Sequence, residues 1–316
     1  LTVDGVGEWT CSAISMGDGG DLRILREARF PDSLGLFYTA ATTFCGFAAN
    51  DGEYKLMGLA PYGRPVYEQV LRDQVIDVRP DGSIRLDPRC IPPASTRSMT
   101  PRRVARLLGG PPAALGAEPG QREADIARSV QVIVEDALVR AATEAHRVTG
   151  AEHLCLAGGV ALNCVAASVV RERAPFADVW VQPAAGDDGG ALGAALWYAH
   201  VVDAAPRRAA ADTMRGMFLG PDLGDVAAWL TAHGVDFDDA EDDEQLCERT
   251  AARLAAGDLV GWAQGRMEFG PRALGHRSIL ADPRNGAVVR TVNERVKGRE
   301  GFRPFAPAVV AEEAHR

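Results

Sequence analysis

The chain has 316 residues, 47% hydrophobic and 24% charged, a globular balance that excludes a disordered or membranous chain and suits two domains better than one. Its net charge of −9 argues against general nucleic-acid binding, and no stretch reads as long and apolar enough to span a bilayer, so neither nucleic acid nor membrane is an expected partner. The six cysteines, Cys11, Cys45, Cys90, Cys155, Cys164 and Cys247, show no CxxC pair and no zinc spacing, which predicts reduced, buried thiols in a cytoplasmic protein.

In chain order, residues 1–15 read as a hairpin, with Asp4 at the end of a strand and Gly5 and Gly7 making the turn. No initiator methionine precedes it, and sequence upstream is expected. Residues 33–49 are small and apolar, predicting a helix that leads into a loop carrying Lys55. Residues 75–120 are rich in Pro, Arg and Gly, with short strands such as 83–86, and read as a peripheral insertion. Over 122–149, Ile126, Val130, Ile133, Val134, Ala137, Leu138 and Ala141 recur at helical spacing, and Gly150 supplies the stop. A short buried strand over 153–157 opens onto Gly158-Gly159 and a helix over 160–173. Another strand over 179–182 ends at Pro183-Ala-Ala-Gly-Asp-Asp-Gly-Gly190, with a helix from Ala191 to His200. That alternation predicts an α/β fold. After a linker over 201–217, the acidic run 236–244 reads as a solvated helix start. Leu246, Thr250 and Leu254 line that helix, Gly257 ends it, and 259–263 form a strand. The apolar run 305–310 predicts one more strand in need of a sheet neighbour, so chain beyond 316 is expected too.

Glycine turns at strand ends followed by helices are where α/β folds bind anions, because the backbone approaches closely and the helix start offers free N–H groups. Gly158, Gly159 and Asn163 are the nucleotide candidates; tight helix–strand packing is the competing explanation of the glycines. Asp187 and Asp188 suit either a hard cation or a helix cap. Only two lysines stand among thirty-two arginines, and both fall in motif-like stretches, Lys55 in the first half and Lys297 in the second. A compact ammonium does what a planar fork cannot, so both are site candidates. From 265 to 303 nine Arg or Lys face four Asp or Glu, a local +5 against −14 elsewhere. Arg266, Arg272, Arg277 and Arg284 alternate there with Gly265, Gly270 and Gly275, followed by Asn293, Lys297 and Arg303. The pattern predicts one small phosphorylated ligand, with Ser278 adding a hydroxyl and Glu268 and Asp282 orienting the guanidinium groups. His276 is expected to be structural.

Six blocks carry a resemblance: Asp4-Gly-Val-Gly-Glu8, Lys55-Leu-Met-Gly-Leu-Ala-Pro-Tyr-Gly63, Leu156-Ala-Gly-Gly-Val-Ala-Leu-Asn163, Gly186-Asp-Asp-Gly-Gly-Ala-Leu-Gly193, Gly265-Arg-Met-Glu-Phe-Gly-Pro-Arg-Ala-Leu-Gly275 and Phe302-Arg-Pro-Phe-Ala-Pro307. Together, in order and over nearly the whole chain, they resemble the O-carbamoyltransferases of natural-product biosynthesis, which include nodulation-factor, cephalosporin-type and aminoglycoside carbamoyltransferases. The resemblance implies an actin-like ATPase (ribonuclease H-like) domain over 1–205, related to the tRNA threonylcarbamoyl transferases and incomplete at its start. It implies over 206–316 an α/β domain resembling carbamoyl- and threonylcarbamoyl-adenylate synthases, incomplete at its end. Implied with it are ATP, carbamoyl phosphate as co-substrate, a carbamoyl adenylate, and a small-molecule hydroxyl as acceptor. By the same analogy Arg272, Arg277 and Lys297 are catalytic, Arg266, Ser278, Arg303 and Lys55 bind substrate, Asp4, Gly158, Gly159 and Asn163 bind nucleotide, and Asp187 is a metal ligand. The family holds its divalent metal, iron or magnesium, also with an HxxxH pair expected upstream of Asp4; no HxxxH occurs in this chain, and Val165-Ala-Ala167 stands where Val-Ala-Asn is usual. An actin-like sugar or acyl kinase shares the glycine turns and Asp187 but leaves the 266–303 block unexplained. The absent histidines also admit a non-catalytic nucleotide-binding remnant.

Overall fold

The computed structural model describes residues 1–19, 21–93, 99, 101–206 and 217–314. The chain divides into two compact units, Leu1–Ala210 and Ala211–Arg316. Among the described residues no helix is long and apolar enough to cross a membrane.

The first unit opens on an antiparallel meander of β1 (Thr2–Gly7), β2 (Thr10–Asp18) and β3 (Asp21–Arg29). Glu8 and Trp9 make the first turn, between Gly7 and its partner Thr10, with Glu8 at φ 58°. The expected hairpin is present, but Asp4 lies inside β1 and the turn comes after Gly7. Helix α1 (Leu34–Phe44) is almost wholly buried; its N-cap Ser33 accepts from the Leu36 N–H. Lys55 belongs to a second helix, α2 (Glu53–Leu59), and not to a loop. The helix starts there because the Glu53 carboxylate accepts from the Asn50 N–H and the Thr39 hydroxyl, which fixes the preceding turn.

Helix α3 (Glu68–Gln74), the hairpin β4 (Ile76–Val78) and β5 (Ile84–Leu86), and α4 (Pro101–Leu107) follow. Far from peripheral, this stretch buries Val75, Ile76, Ile84, Leu86, Cys90, Ile91, Val104 and Leu108. Its hairpin lies so close to α5 (Gln121–Thr149) that a Cβ on Gly82 would sit 2.2 Å from the Ala141 nitrogen. Helix α5 is the spine of the unit. Ile126, Val130, Ile133 and Val134 are fully buried along one stripe, each worth roughly 1.5–3 kcal/mol of apolar burial. Glu123 caps the first turn through the Gly120 N–H, and Gly150, at φ 65°, ends the helix in the left-handed conformation that glycine tolerates.

Strands β6 (His153–Leu156) and β7 (Asp178–Val181) are parallel and in register, Leu156 opposite Val181. Between them the expected helix is broken at Asn163 into a 3₁₀ turn (Gly159–Leu162) and α6 (Cys164–Arg173). A parallel bridge from Thr2 to Ala157 joins the meander to β6. The resulting order is β3-β2-β1-β6-β7, an antiparallel meander continued by parallel strands. Helix α7 (Asp188–Trp197) starts three residues before the expected point and runs into a π-helical turn, Tyr198–Val202. Strand alternation explains one of the three cysteines that escape burial. On β6, Leu154 and Leu156 face inward and Cys155 faces out; Cys164 and Cys247 are exposed as well, while Cys11, Cys45 and Cys90 are buried as expected.

Much of the linker, 207–216, lies outside the described residues. The second unit contains α8 (Val226–Ala232), α9 (Asp243–Ala255), an antiparallel pair of β8 (Val260–Ala263) and β9 (Arg277–Leu280), and α10 (Gly286–Arg290) continued by a π-helical turn, Thr291–Val296. Asp242 caps α9 through the Gln245 N–H, so the acidic run is the solvated helix start its composition implied. Residues 305–310 are not a strand; Phe305, Val309 and Val310 are exposed, with no neighbouring strand to pair with among the described residues.

Candidate functional site

In the first unit the two glycine turns lie side by side at the ends of β6 and β7. Gly158 takes φ 91°, and a Cβ there would stand 2.2 Å from the Val3 carbonyl oxygen, so no other residue fits without displacing β1. Its N–H donates to the Ala185 carbonyl at 2.8 Å, which ties the first turn to the second. The Asp4 carboxylate accepts from the Gly5 N–H at 2.8 Å and the Gly159 N–H at 3.1 Å. Asp4 is itself pinned by α1: the Ser33 hydroxyl donates to its carbonyl at 2.9 Å, and a Cβ on Gly35 would come within 2.7 Å of the same oxygen. Gly186 completes the cluster, with its Cβ direction 3.9 Å from the Gly159 Cα. Asp4, Gly158 and Gly159, distant in sequence, are thus neighbours, with the turn that carries Asp187 beside them.

Asp187 occupies the N-cap position of α7 but makes no capping bond, and its side chain is exposed. Among the described residues no three His, Cys, Asp or Glu side chains are placed to hold a metal ion. One carboxylate does not hold a divalent ion, so the residues present do not fit a metal by themselves. Asn163 is bonded within the fold. Its carboxamide oxygen caps α6 at the Ala166 N–H, 3.0 Å, and the group pairs with Gln131 in both directions, at 2.9 and 3.1 Å. Gln131 also accepts from the Tyr38 hydroxyl at 3.0 Å. Burial, ahead of the nearby Glu53 charge, pushes the Tyr38 phenol far above its ordinary pKa, so it remains a donor. Lys55 is half-buried, its Nζ 6.0 Å from the centre of the Phe47 ring.

In the second unit the polar block is the long connection between β8 and β9. Arg266 donates to the Leu219 and Gly220 carbonyls at 2.8 and 3.0 Å. Arg277 donates to those of Gln264, Gly265 and His276 at 2.9, 3.1 and 2.7 Å. These two guanidinium groups hold backbone together. Ser278 accepts from the Gly275 N–H at 3.0 Å. Glu268 orients no arginine side chain among these bonds; its carboxylate accepts from the backbone N–H groups of Leu274, His276 and Arg277. Burial alone would raise its pKa, but the converging amides outweigh burial and hold it down at about 2. Asp282 does grip Arg284, whose guanidinium holds the carboxyl at about 2. His276 is structural, stacked on Phe218 at 3.6 Å between ring centres and bonded through Nδ1 to the Arg266 carbonyl at 2.7 Å.

Arg272 is exposed at the apex of the loop, and Lys297 is exposed at the end of the π-helical turn. Arg303 pairs with Glu300 at 2.6 Å. Asn293, fully buried, donates to the Gly301 and Arg303 carbonyls and accepts from Arg299, so it shapes the 299–303 segment without touching solvent. Gln131 and the backbone role of Glu268 were not anticipated. For Gln131 a signal existed: a polar residue inside the apolar stripe of α5 needs a partner.

The comparisons agree with this order of parts. Residues 1–196 match the family described as carbamoyltransferase N-terminus, and residues 251–316 the one described as carbamoyltransferase C-terminus. An uncharacterized protein of Synechocystis is 45% identical over 317 residues, covering 99% of this chain and 51% of that protein. Nodulation protein NolNO of Sinorhizobium fredii is 39% identical over 319 residues, 100% of this chain and 44% of its own length. A 3'-hydroxymethylcephem-O-carbamoyltransferase of Amycolatopsis lactamdurans is 34% identical over 160 residues, 51% of this chain and 28% of its own. The chain spans about half the length of the relatives it matches end to end.

Proposed function

The chain belongs to the carbamoyltransferase family, and on that premise we propose that its protein carbamoylates a hydroxyl of a small natural product, using carbamoyl phosphate and ATP. The relative named for cephem O-carbamoylation points to that acceptor class. Atom balance sets the sequence of bonds. Water takes the carbamoyl group from phosphate as carbamate, a carbamate oxygen attacks the α-phosphorus of ATP, and pyrophosphate leaves. The acceptor hydroxyl then attacks the carbamoyl carbon of the adenylate, AMP leaves, and the hydroxyl proton passes to solvent.

The observation that carries this reading is the bond from Gly159 to Asp4. It assembles a carboxylate and two glycine turns at the ends of parallel strands, where side-chain-free backbone lets an adenylate approach closely. The strand order β3-β2-β1-β6-β7 supports the ribonuclease H-like, actin-related reading of the first unit. In the second unit Arg272 and Lys297 are the cations we assign to adenylate formation, where stabilised charge is usually the largest catalytic contribution. Arg266 and Arg277 are assigned to holding the loop.

The test is pyrophosphate release from ATP by the full-length protein, dependent on carbamoyl phosphate. Arg272→Ala and Lys297→Met should each lower it by about a hundredfold. Release untouched by both would sink the assignment. Mass-spectrometric screening of hydroxylated natural products for a gained carbamoyl group identifies the acceptor.

A further inference from the structure

One side chain fastens the loop that carries Arg272. Glu268 is 7% exposed, and its Oε1 accepts from the Leu274 N–H at 2.6 Å, the His276 N–H at 2.8 Å and the Arg277 N–H at 3.3 Å. Those amides belong to the arm that returns to β9. The outgoing arm is held through its own backbone: Met267 N–H to the Pro221 carbonyl, Phe269 N–H to that of Met217, and the Met267 carbonyl to the Gly220 N–H. Between the arms, Gly270 at φ 131° and Gly275 at φ 102° mark the two bends. Arg272 stands between those glycines, exposed.

Three converging amides form a nest that suits an anion, and in a phosphate-binding block a substrate oxygen would be the obvious guest. Glu268 fills the nest from within. The amides therefore close the loop, and the external anion is left to side chains at the apex. A cation on a glycine-hinged loop gives little rate unless its direction is fixed beforehand. We infer that Glu268 is a positioning residue, which locks the 269–276 loop shut and so presents Arg272 to the phosphorylated substrate. The inference rests on the adenylate-forming reading of this unit. A carboxylate suits the task because its charge strengthens three bonds to one oxygen; a glutamine carbonyl oxygen has two lone pairs and no charge.

The experiment uses the full-length protein with Glu268→Gln and Glu268→Ala, each alone and on an Arg272→Ala background. Hydrogen exchange at the Leu274, His276 and Arg277 amides should quicken about tenfold or more in both variants. Carbamoyl phosphate-dependent pyrophosphate release should lose about tenfold in kcat with Gln and about a hundredfold with Ala. On the Arg272→Ala background neither change should lower kcat further, because the residue acted upon is gone. A further loss there, comparable to that on wild type, would overturn the proposal, as would unchanged amide exchange. Calorimetric binding of inorganic pyrophosphate gives an arm without turnover: Glu268→Gln should weaken it as Arg272→Ala does, and without additivity. If wild type binds pyrophosphate but never releases it from ATP, the proposed function fails and binding still decides Glu268. If it does neither, both fail. Should Glu268→Ala not fold, Glu268→Gln carries the test.

Discussion

The arginines of the 265–303 block differ in what a shorter or unforked cation would cost. Arg277 serves four carbonyls at once, a geometry that a lysine ammonium cannot reproduce. Arg277→Lys should therefore destabilise the protein by about 1–2 kcal/mol, read in urea denaturation as a lower midpoint with unchanged slope. Arg272→Ala, at an exposed position, should cost no more than the about 1 kcal/mol of an exposed interaction while activity falls. Equal destabilisation by both would contradict the division of labour drawn here. Glu268 adds a pH dependence. Its folded carboxyl sits at about 2, below its ordinary 4.5, so the loop closure it provides is complete above about pH 5 and is lost as pH falls toward 2. Amide exchange at Leu274, corrected for the intrinsic pH effect, should be flat above pH 5 and rise below pH 4; a rise centred near neutrality would assign the closure to another group. Composition exposed the charge of this block, but not its employment. Bonds from Arg266 to carbonyls at 219 and 220 depend on how the chain returns, and no residue type announces a carbonyl acceptor.

Elements were legible where one period dominated. Helix α5 could be placed from its apolar spacing and its stop glycine because burial along one stripe decides both. Strand β3 escaped because Asp21–Arg29 is charged along both faces: it gains its hydrogen bonds from β2 and buries little, so no hydrophobic alternation is required. The break at Asn163 escaped for a related reason. The run 160–173 is helical in composition, but the Gly158 turn must stay against β1, and Asn163 then restarts the helix as a cap. Both features are testable. Gly158→Ala forces a Cβ into the Val3 carbonyl and a side chain into φ 91°, which should cost about 3 kcal/mol or more and show as a large fall in melting temperature. Asn163→Ala removes the α6 cap and strands the Gln131 amide, costing about 1–3 kcal/mol. The triple variant with Gln131→Leu and Tyr38→Phe should recover part of that loss, since neither a buried amide nor the Tyr38 hydroxyl is then left unpaired; a fully additive loss would place the stabilisation elsewhere.

Across the whole molecule the charge is divided: −9 in total, yet +5 between 265 and 303. The bonds of Arg266 and Arg277 to carbonyls do not alter that sum, because a carbonyl removes no charge. The block therefore projects a positive field although several of its arginines are structural, and the remaining −14 keeps that attraction local. Exposed charges are screened over about 8 Å at physiological ionic strength, so field and contact respond differently to salt. Raising sodium chloride from low to high concentration should raise KM for carbamoyl phosphate about five- to tenfold, with a much smaller change in kcat. Charge-reversing a framework arginine would confound fold with field. Arg290→Glu, on α10 and exposed, is the cleaner probe: it should raise KM at low salt and lose that effect at high salt, because only the field has changed. A KM indifferent to salt and to Arg290→Glu would mean that the substrate is recognised entirely by contact, and the positive block would then be explained by loop architecture alone.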